Sequence, residues 1–154
     1  MPDRKQLVFF LGVLLLISFP LHFVWEWLQC QPYFVHRLAP ATSLSMLIAT
    51  LGDLVITLLA YGMVASIHGW RWPLKPWSVG IWIALLGLAL AISVSVELYA
   101  LQSGRWTYTD ASPRLPGTPI SVLPVAQLLI LFPLSFRLAR WWVVGMPKQS
   151  TPPT

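Results

Sequence analysis

Four stretches of this chain, residues 7–29, 42–67, 79–102 and about 120–144, are apolar almost without interruption. A helix needs about 20 predominantly apolar residues to cross the hydrocarbon core of a bilayer, and each stretch meets that length. Inside lipid no water is at hand for backbone N–H and C=O groups, so a spanning segment must pair them internally. Unbroken apolar runs of this length do that as α-helices, whereas barrel strands would alternate apolar and polar residues. The expected fold is therefore all-α: a polytopic four-helix transmembrane bundle. The connections leave no room for a soluble domain, so residues 1–146 form a single transmembrane domain. The polar, proline-rich tail 147–154 is expected to be disordered. Charge agrees with this class, since only 10% of residues are Asp, Glu, Lys or Arg, against about a quarter in soluble domains.

Arg4 and Lys5 ahead of an apolar run resemble the start of a secretory signal. The run continues through Pro20 to residue 28 with no small-x-small cleavage site, so we read it as a retained first span. Basic residues set the orientation. With the N-terminus inside, Arg4, Lys5, Arg71, Lys75, Arg137, Arg140 and Lys148 are cytoplasmic, while Arg37, Arg105 and Arg114 are outside. Seven against three favours both termini inside (N-in/C-in). Trp70, Trp72, Trp77, Trp82, Trp141 and Trp142 then mark the inner interface, and Trp25, Trp27, Tyr33, Tyr99, Trp106 and Tyr108 the outer one.

The net charge of +5 comes from basic residues scattered over both ends and all three loops. A nucleic-acid surface would need them clustered on one face, so no nucleic-acid partner is expected. Cys30 is the only cysteine, which excludes an intrachain disulfide and a cysteine-based metal cluster. The chain contains no Gly-x-Ser-x-Gly and no glycine-rich phosphate loop. No cofactor is expected. The expected partner is membrane lipid, with a homo-oligomer or a partner membrane protein left open.

Prolines mark where the helices should depart from regularity. Pro20 lies within the first span, Pro124 and Pro133 within the fourth, and Pro119 at its start. An interior proline removes an N–H and leaves the carbonyl four residues earlier without its partner.

Three of the five acids fall inside spans: Glu26, Asp53 and Glu97. An acid at mid-membrane costs about 3 kcal/mol on insertion scales, so such residues face the bundle interior and mark functional sites. Their neighbours form stripes at helical spacing. His22 and Glu26 are four apart, with Gln29 three further on, and Thr42, Ser45, Thr50, Asp53 and Thr57 run along span two. Ser93 precedes Glu97 by one turn, and Gln127 lies two turns into span four. The third loop adds Arg105, Trp106, Tyr108, Asp110 and Arg114. Arg105 is eight residues beyond Glu97, so a slight extension of span three would put both on one face. These groups should converge in the outer half of the membrane, with Glu26, Asp53, Glu97 and Arg105 in one polar pocket. His22, Glu26, Asp53 and Glu97 could supply nitrogen and oxygen ligands. With one intramembrane histidine and no HxxH or ExxH spacing, no metal site is expected. The stripes also have a plain structural reading, as polar contacts that hold helices together.

The segment PLHFVWEWLQCQPY at 20–33, TLGDLVITLLAYG at 50–62, Glu97 and GRWTY at 104–108 together resemble a family of small four-span bacterial membrane proteins. That resemblance covers most of the chain. It implies the fold and a place in the bacterial inner (cytoplasmic) membrane, and it carries no activity. GRWTY followed by GTPI at 117–120 is similar to the RWxY…GxPI pattern of the membrane-embedded lycopene cyclase domain. That domain cyclises a polyene by protonating a double bond. Its pattern has acids just after the proline-containing motif, where this chain has Ser121 and Val122.

The leading expectation is a protein that binds or modifies a lipid or isoprenoid by acid catalysis. Glu97, Asp53 and Glu26 are the candidate catalytic acids. His22, Arg105, Trp106, Tyr108 and Gln127 are the candidate substrate-binding residues. Two other classes compete: a small oligomeric proton-linked transporter using Asp53 or Glu26, and a non-catalytic subunit or assembly factor.

Overall fold

A computed structural model describes residues 4–36 and 42–145. It contains four long helices: α1 (Arg4–Tyr33), α2 (Ser43–His68), α3 (Val79–Ser103) and α4 (Val122–Gly145). All four are long and apolar enough to cross a membrane. The chain is an integral membrane protein built as a four-helix bundle. The boundaries of 7–29 and 42–67 expected for the first two spans extend to 4–33 and 43–68, because interfacial polar residues join the ends of the apolar runs without breaking the helix. The tail 147–154 and Arg37 lie outside the described residues.

Local chemistry sets the helix ends. Thr42 caps α2 by accepting the Ser45 N–H at 3.2 Å, while its own N–H donates to Ser45 Oγ at 2.8 Å. This reciprocal box satisfies two otherwise orphaned donors. Ser78 caps α3 through Ile81 N–H. At the far end of α3, Gly104 takes φ 65°, the left-handed conformation that ends a helix cleanly without a Cβ. Pro124 falls in the first turn of α4, where an N–H has no intrahelical partner to lose. It is therefore not the interior kink expected from the sequence. Pro20 in α1 and Pro133 in α4 are interior, and each withholds the N–H that Leu16 or Leu129 would accept.

The helices pack in the cyclic order α1, α4, α3, α2, with α2 against α3 the sparsest of the four adjacent interfaces. Half of the most apolar window of α4 is buried, against 22–28% in the other three, which makes α4 the most enclosed helix. The two ends of the bundle are built differently. One end carries both helix termini nearest the chain ends and the α2–α3 connection; we call it the terminal end. Its core is apolar, with Phe10, Val64, Trp72, Leu85, Phe132 and Phe136 among the buried residues. A three-residue 3-10 turn, Trp72–Leu74, folds the connection inward, so Trp72 sits within ring contact of Tyr61, Trp77 and Phe136 at 5.1–6.3 Å.

The opposite end carries a small antiparallel sheet of β1 (Phe34–His36) and β2 (Trp106–Tyr108), pairing Phe34 with Tyr108. It ties the α1–α2 connection to the α3–α4 connection. Thr109 reinforces it, donating its N–H to Tyr33 O and its hydroxyl to Pro32 O. Beyond it, Ser112 donates to Ser121 Oγ at 3.0 Å, both buried, and folds the long connection down against α4. We call this the sheet end.

Candidate functional site

The polar residues inside the helices gather at the sheet end, above the apolar core. His22, Glu26, Gln29 and Cys30 occur at spacings of three and four and so share the buried face of α1. Asp53 comes to them from α2 and Gln127 from α4. Gln127 is the hub. Its amide nitrogen lies 2.9 Å from Asp53 Oδ2, 3.1 Å from Glu26 Oε1 and 3.2 Å from His22 Nδ1. Its amide oxygen accepts Gln29 Nε2–H at 2.9 Å.

Hydrogen counting decides how these contacts are shared. A primary amide has two hydrogens, so Gln127 cannot donate to all three neighbours. His22 Nδ1 also lies 3.2 Å from Asp53 Oδ2. If His22 carries its proton on Nδ1 and gives it to Asp53, both Gln127 hydrogens are free for Glu26 and Asp53. This assignment pairs the Glu26 contact and both Asp53 contacts, leaves Gln127 Nε2 and His22 Nδ1 as neighbours without a hydrogen bond, and is the one we adopt. Gln29 gives its second hydrogen to Glu26 Oε1 at 2.9 Å and accepts the Trp25 indole N–H at 2.9 Å. The Cys30 thiol donates to Glu26 Oε2 at 3.2 Å. Glu26 thus receives three donors from neutral side chains. Among the described residues, no Lys or Arg pairs with any of the three intrahelical acids.

Glu97 forms a second, adjoining part. It is buried on α3, close enough to Glu26 for the two carboxyls to interact electrostatically. Its carboxylate accepts the Tyr108 hydroxyl and faces the Trp106 indole N–H. Both aromatics come from β2, where residues two apart share a face. Phe34 of β1 packs edge-on against both rings, at 6.1 Å from Trp106 and 5.2 Å from Tyr108. The sheet therefore acts as an aromatic cap seated on the Glu97 carboxyl.

The expectation of one pocket holding Glu26, Asp53, Glu97 and Arg105 needs correction at Arg105, which is exposed and makes no ion pair with the acids among the described residues. The cause is Gly104. Its left-handed turn stops α3 before Arg105 can join the face of Glu97, and β2 alternation then turns Trp106 and Tyr108 inward and Arg105 outward. Of the proposed stripe on α2, only Asp53 enters the network. Thr50 and Thr57 return their hydroxyls to the carbonyls of Met46 and Asp53 at 2.8 Å, and Thr42 and Ser45 form the helix cap. The sequence reading passed over Trp25, Cys30 and Phe34. Trp25 and Cys30 were marked by their spacing of four from Gln29 and Glu26. Phe34 had no local signal, because its place depends on pairing with a strand 70 residues on.

Five buried polar atoms have no hydrogen-bond partner among the described residues: Ser18 Oγ and His22 Nε2 on α1, Trp77 Nε1 in the α2–α3 connection, Ser93 Oγ on α3 and Ser135 Oγ on α4. No group of three or more His, Cys, Asp or Glu side chains among the described residues is arranged to hold a metal ion. No family model, curated protein or solved structure matches this chain.

Proposed function

We propose that this protein acts on, or holds, a lipid or isoprenoid within the membrane, using its buried carboxyls as acid and base. One observation carries the reading: three acids lie inside the bundle, held by amides, an imidazole, a thiol and aromatic donors, with no Lys or Arg neutralising them among the described residues. Helix packing alone can use Ser, Thr and Gln at far lower insertion cost than carboxylic acids. In this reading Glu97 supplies a proton to a substrate double bond or oxygen. The rings of Phe34, Trp106 and Tyr108 stabilise the positive charge that develops. The Asp53–His22 pair takes a proton back, so the reaction is a rearrangement with no net redox change.

The apolar interior of the terminal half disfavours a continuous polar path through the bundle, and with it the transporter reading. The network is also internal rather than displayed on an outer seam, which disfavours a pure docking subunit. The test is a lipid profile of a strain lacking this protein, complemented by wild type, Glu97→Gln or Asp53→Asn. We expect one lipid or isoprenoid species to vanish, or its precursor to accumulate, in the deletion strain. Wild type should restore it, and Glu97→Gln should restore less than about a tenth. Identical profiles across all strains would remove the proposal.

We place the sheet end outside and both chain termini inside, in the bacterial inner membrane. The motive is the seven-to-three distribution of basic residues. A phosphatase reporter inserted after Asp110 should be active, and one fused after Lys148 inactive. The reverse pattern would invert the map.

A further inference from the structure

We propose that the site is reached sideways, through the seam between α2 and α3 in the sheet-end half, by a membrane amphiphile with a small uncharged polar head. The inference rests on the lipid reading and specifies the ligand class and its route.

Among the described residues, buried side chains fill both axial routes. At the terminal end Trp72, Phe136 and Phe132 are fully buried in the core. At the sheet end Phe34, Ser112, Ile120 and Ser121 are buried beneath the sheet and the long connection. What remains is access between helices, and the α2–α3 interface is the sparsest. It closes in the terminal half, where Ile56 of α2 and Leu88 and Ile92 of α3 pack onto the core. It is looser above. Val96 and Tyr99 flank the buried Glu97 and Ala100 yet are 39% and 62% exposed. On α2, Asp53 is the one network carboxyl that keeps appreciable side-chain exposure, at 15%. Gly52 beside it has open space where a Cβ would stand.

The chemistry of the interior selects the head group. His22 Nε2 and Ser93 Oγ are buried and unpartnered, so a ligand that reaches them gains hydrogen bonds that the protein does not supply. Three carboxyls lie in this part of the bundle and no Lys or Arg of the described residues pairs with them, so a phosphate head would find carboxyls and no cation. A hydroxyl head can pair with either atom, whereas a carbonyl can accept only from Ser93. Its apolar tail stays in the seam, continuous with lipid.

The experiment uses the full chain in lipid nanodiscs and two probes: geranylgeraniol with a diazirine on its tail, and the monophosphate of the same molecule. After irradiation, adducts are mapped by mass spectrometry. We expect the alcohol to label peptides of α2 and α3 in the sheet-end half, at least tenfold above the monophosphate. Gly52→Trp should reduce that labelling at least tenfold and Gly52→Leu by less. Gly12→Trp, at an equally open glycine on α1, should leave it unchanged, and thermal midpoints show that each variant is folded. Equal labelling by the monophosphate overturns the uncharged-head assignment. Labelling of the cap peptides that ignores Gly52→Trp overturns the seam but leaves the lipid reading standing. Labelling spread evenly over all four helices overturns both.

Discussion

Replacing Trp72 with alanine should destabilise the protein by about 3–5 kcal/mol, the range for truncating a large buried aromatic. Trp72 has no exposed surface, and its ring contacts those of Tyr61, Trp77 and Phe136. Its indole N–H reaches Tyr61 O at 3.4 Å, a weak bond, so packing and not hydrogen bonding holds the residue. Lipid-facing truncations in a bundle lose little transfer energy, because lipid is as apolar as the protein interior. Trp72 differs. It belongs to a connection between helices, where the unfolded alternative is the interface, so its burial keeps most of the transfer term. Truncation also opens a cavity that Phe136 and Leu74 cannot both collapse into. Trp141 is the control: it is 73% exposed, and Trp141→Ala should change stability by less than about 0.5 kcal/mol. Denaturant unfolding in detergent micelles measures both. A Trp72→Ala variant within about 1 kcal/mol of Trp141→Ala would show that the aromatic cluster is not the clamp of the terminal end.

The four spans were legible because each depends on a single local property, an apolar run long enough to cross a bilayer, that no distant contact can override. The polar network was half legible for a related reason. The stripe of His22, Glu26 and Gln29 is written along one helix at spacings of three and four, and Asp53 and Gln127 stand out as polar residues in apolar helices. What spacing does not carry is rotation. It cannot say that Asp53 turns to the centre while Thr50 and Thr57 spend their hydroxyls on their own helix. Arg105 was misplaced because one glycine conformation decides whether α3 continues or stops, and Gly104 fits either reading in sequence. The sheet was hidden altogether. Two three-residue strands carry almost no propensity signal, and they exist because the bundle brings the two connections together. Trp106 and Tyr108 were picked out as interface aromatics and as candidate substrate-binding residues, but their seat on Glu97 follows from β alternation.

Gln127→Leu should be about as damaging as the loss of Trp72, for an electrostatic reason. Leucine preserves volume and helix propensity, so the helix itself is not at issue. What disappears is the single side chain that touches His22, Glu26, Gln29 and Asp53 at once. If the three hydrogen bonds it makes were ordinary interhelical ones, each would be worth about 0.6 kcal/mol, and they would sum to about 2 kcal/mol. Removing one partner of a buried carboxyl cluster costs more, about 3–5 kcal/mol, because each carboxyl stays behind with a donor fewer. We expect the larger figure for a reason visible in the hydrogen count: Asp53 keeps only His22, and Glu26 must rely on Gln29 and Cys30. A double-mutant cycle separates the two cases. Asp53→Asn removes the carboxyl that Gln127 serves, so in that background Gln127→Leu should cost at least about 1 kcal/mol less than in wild type. Strict additivity would mean that Gln127 acts as packing and that the network is a set of independent contacts. Coupling of the expected sign would mean that α1, α2 and α4 are registered by one shared polar centre, which is what a proton-handling site in lipid requires if its groups are to stay within reach of one another.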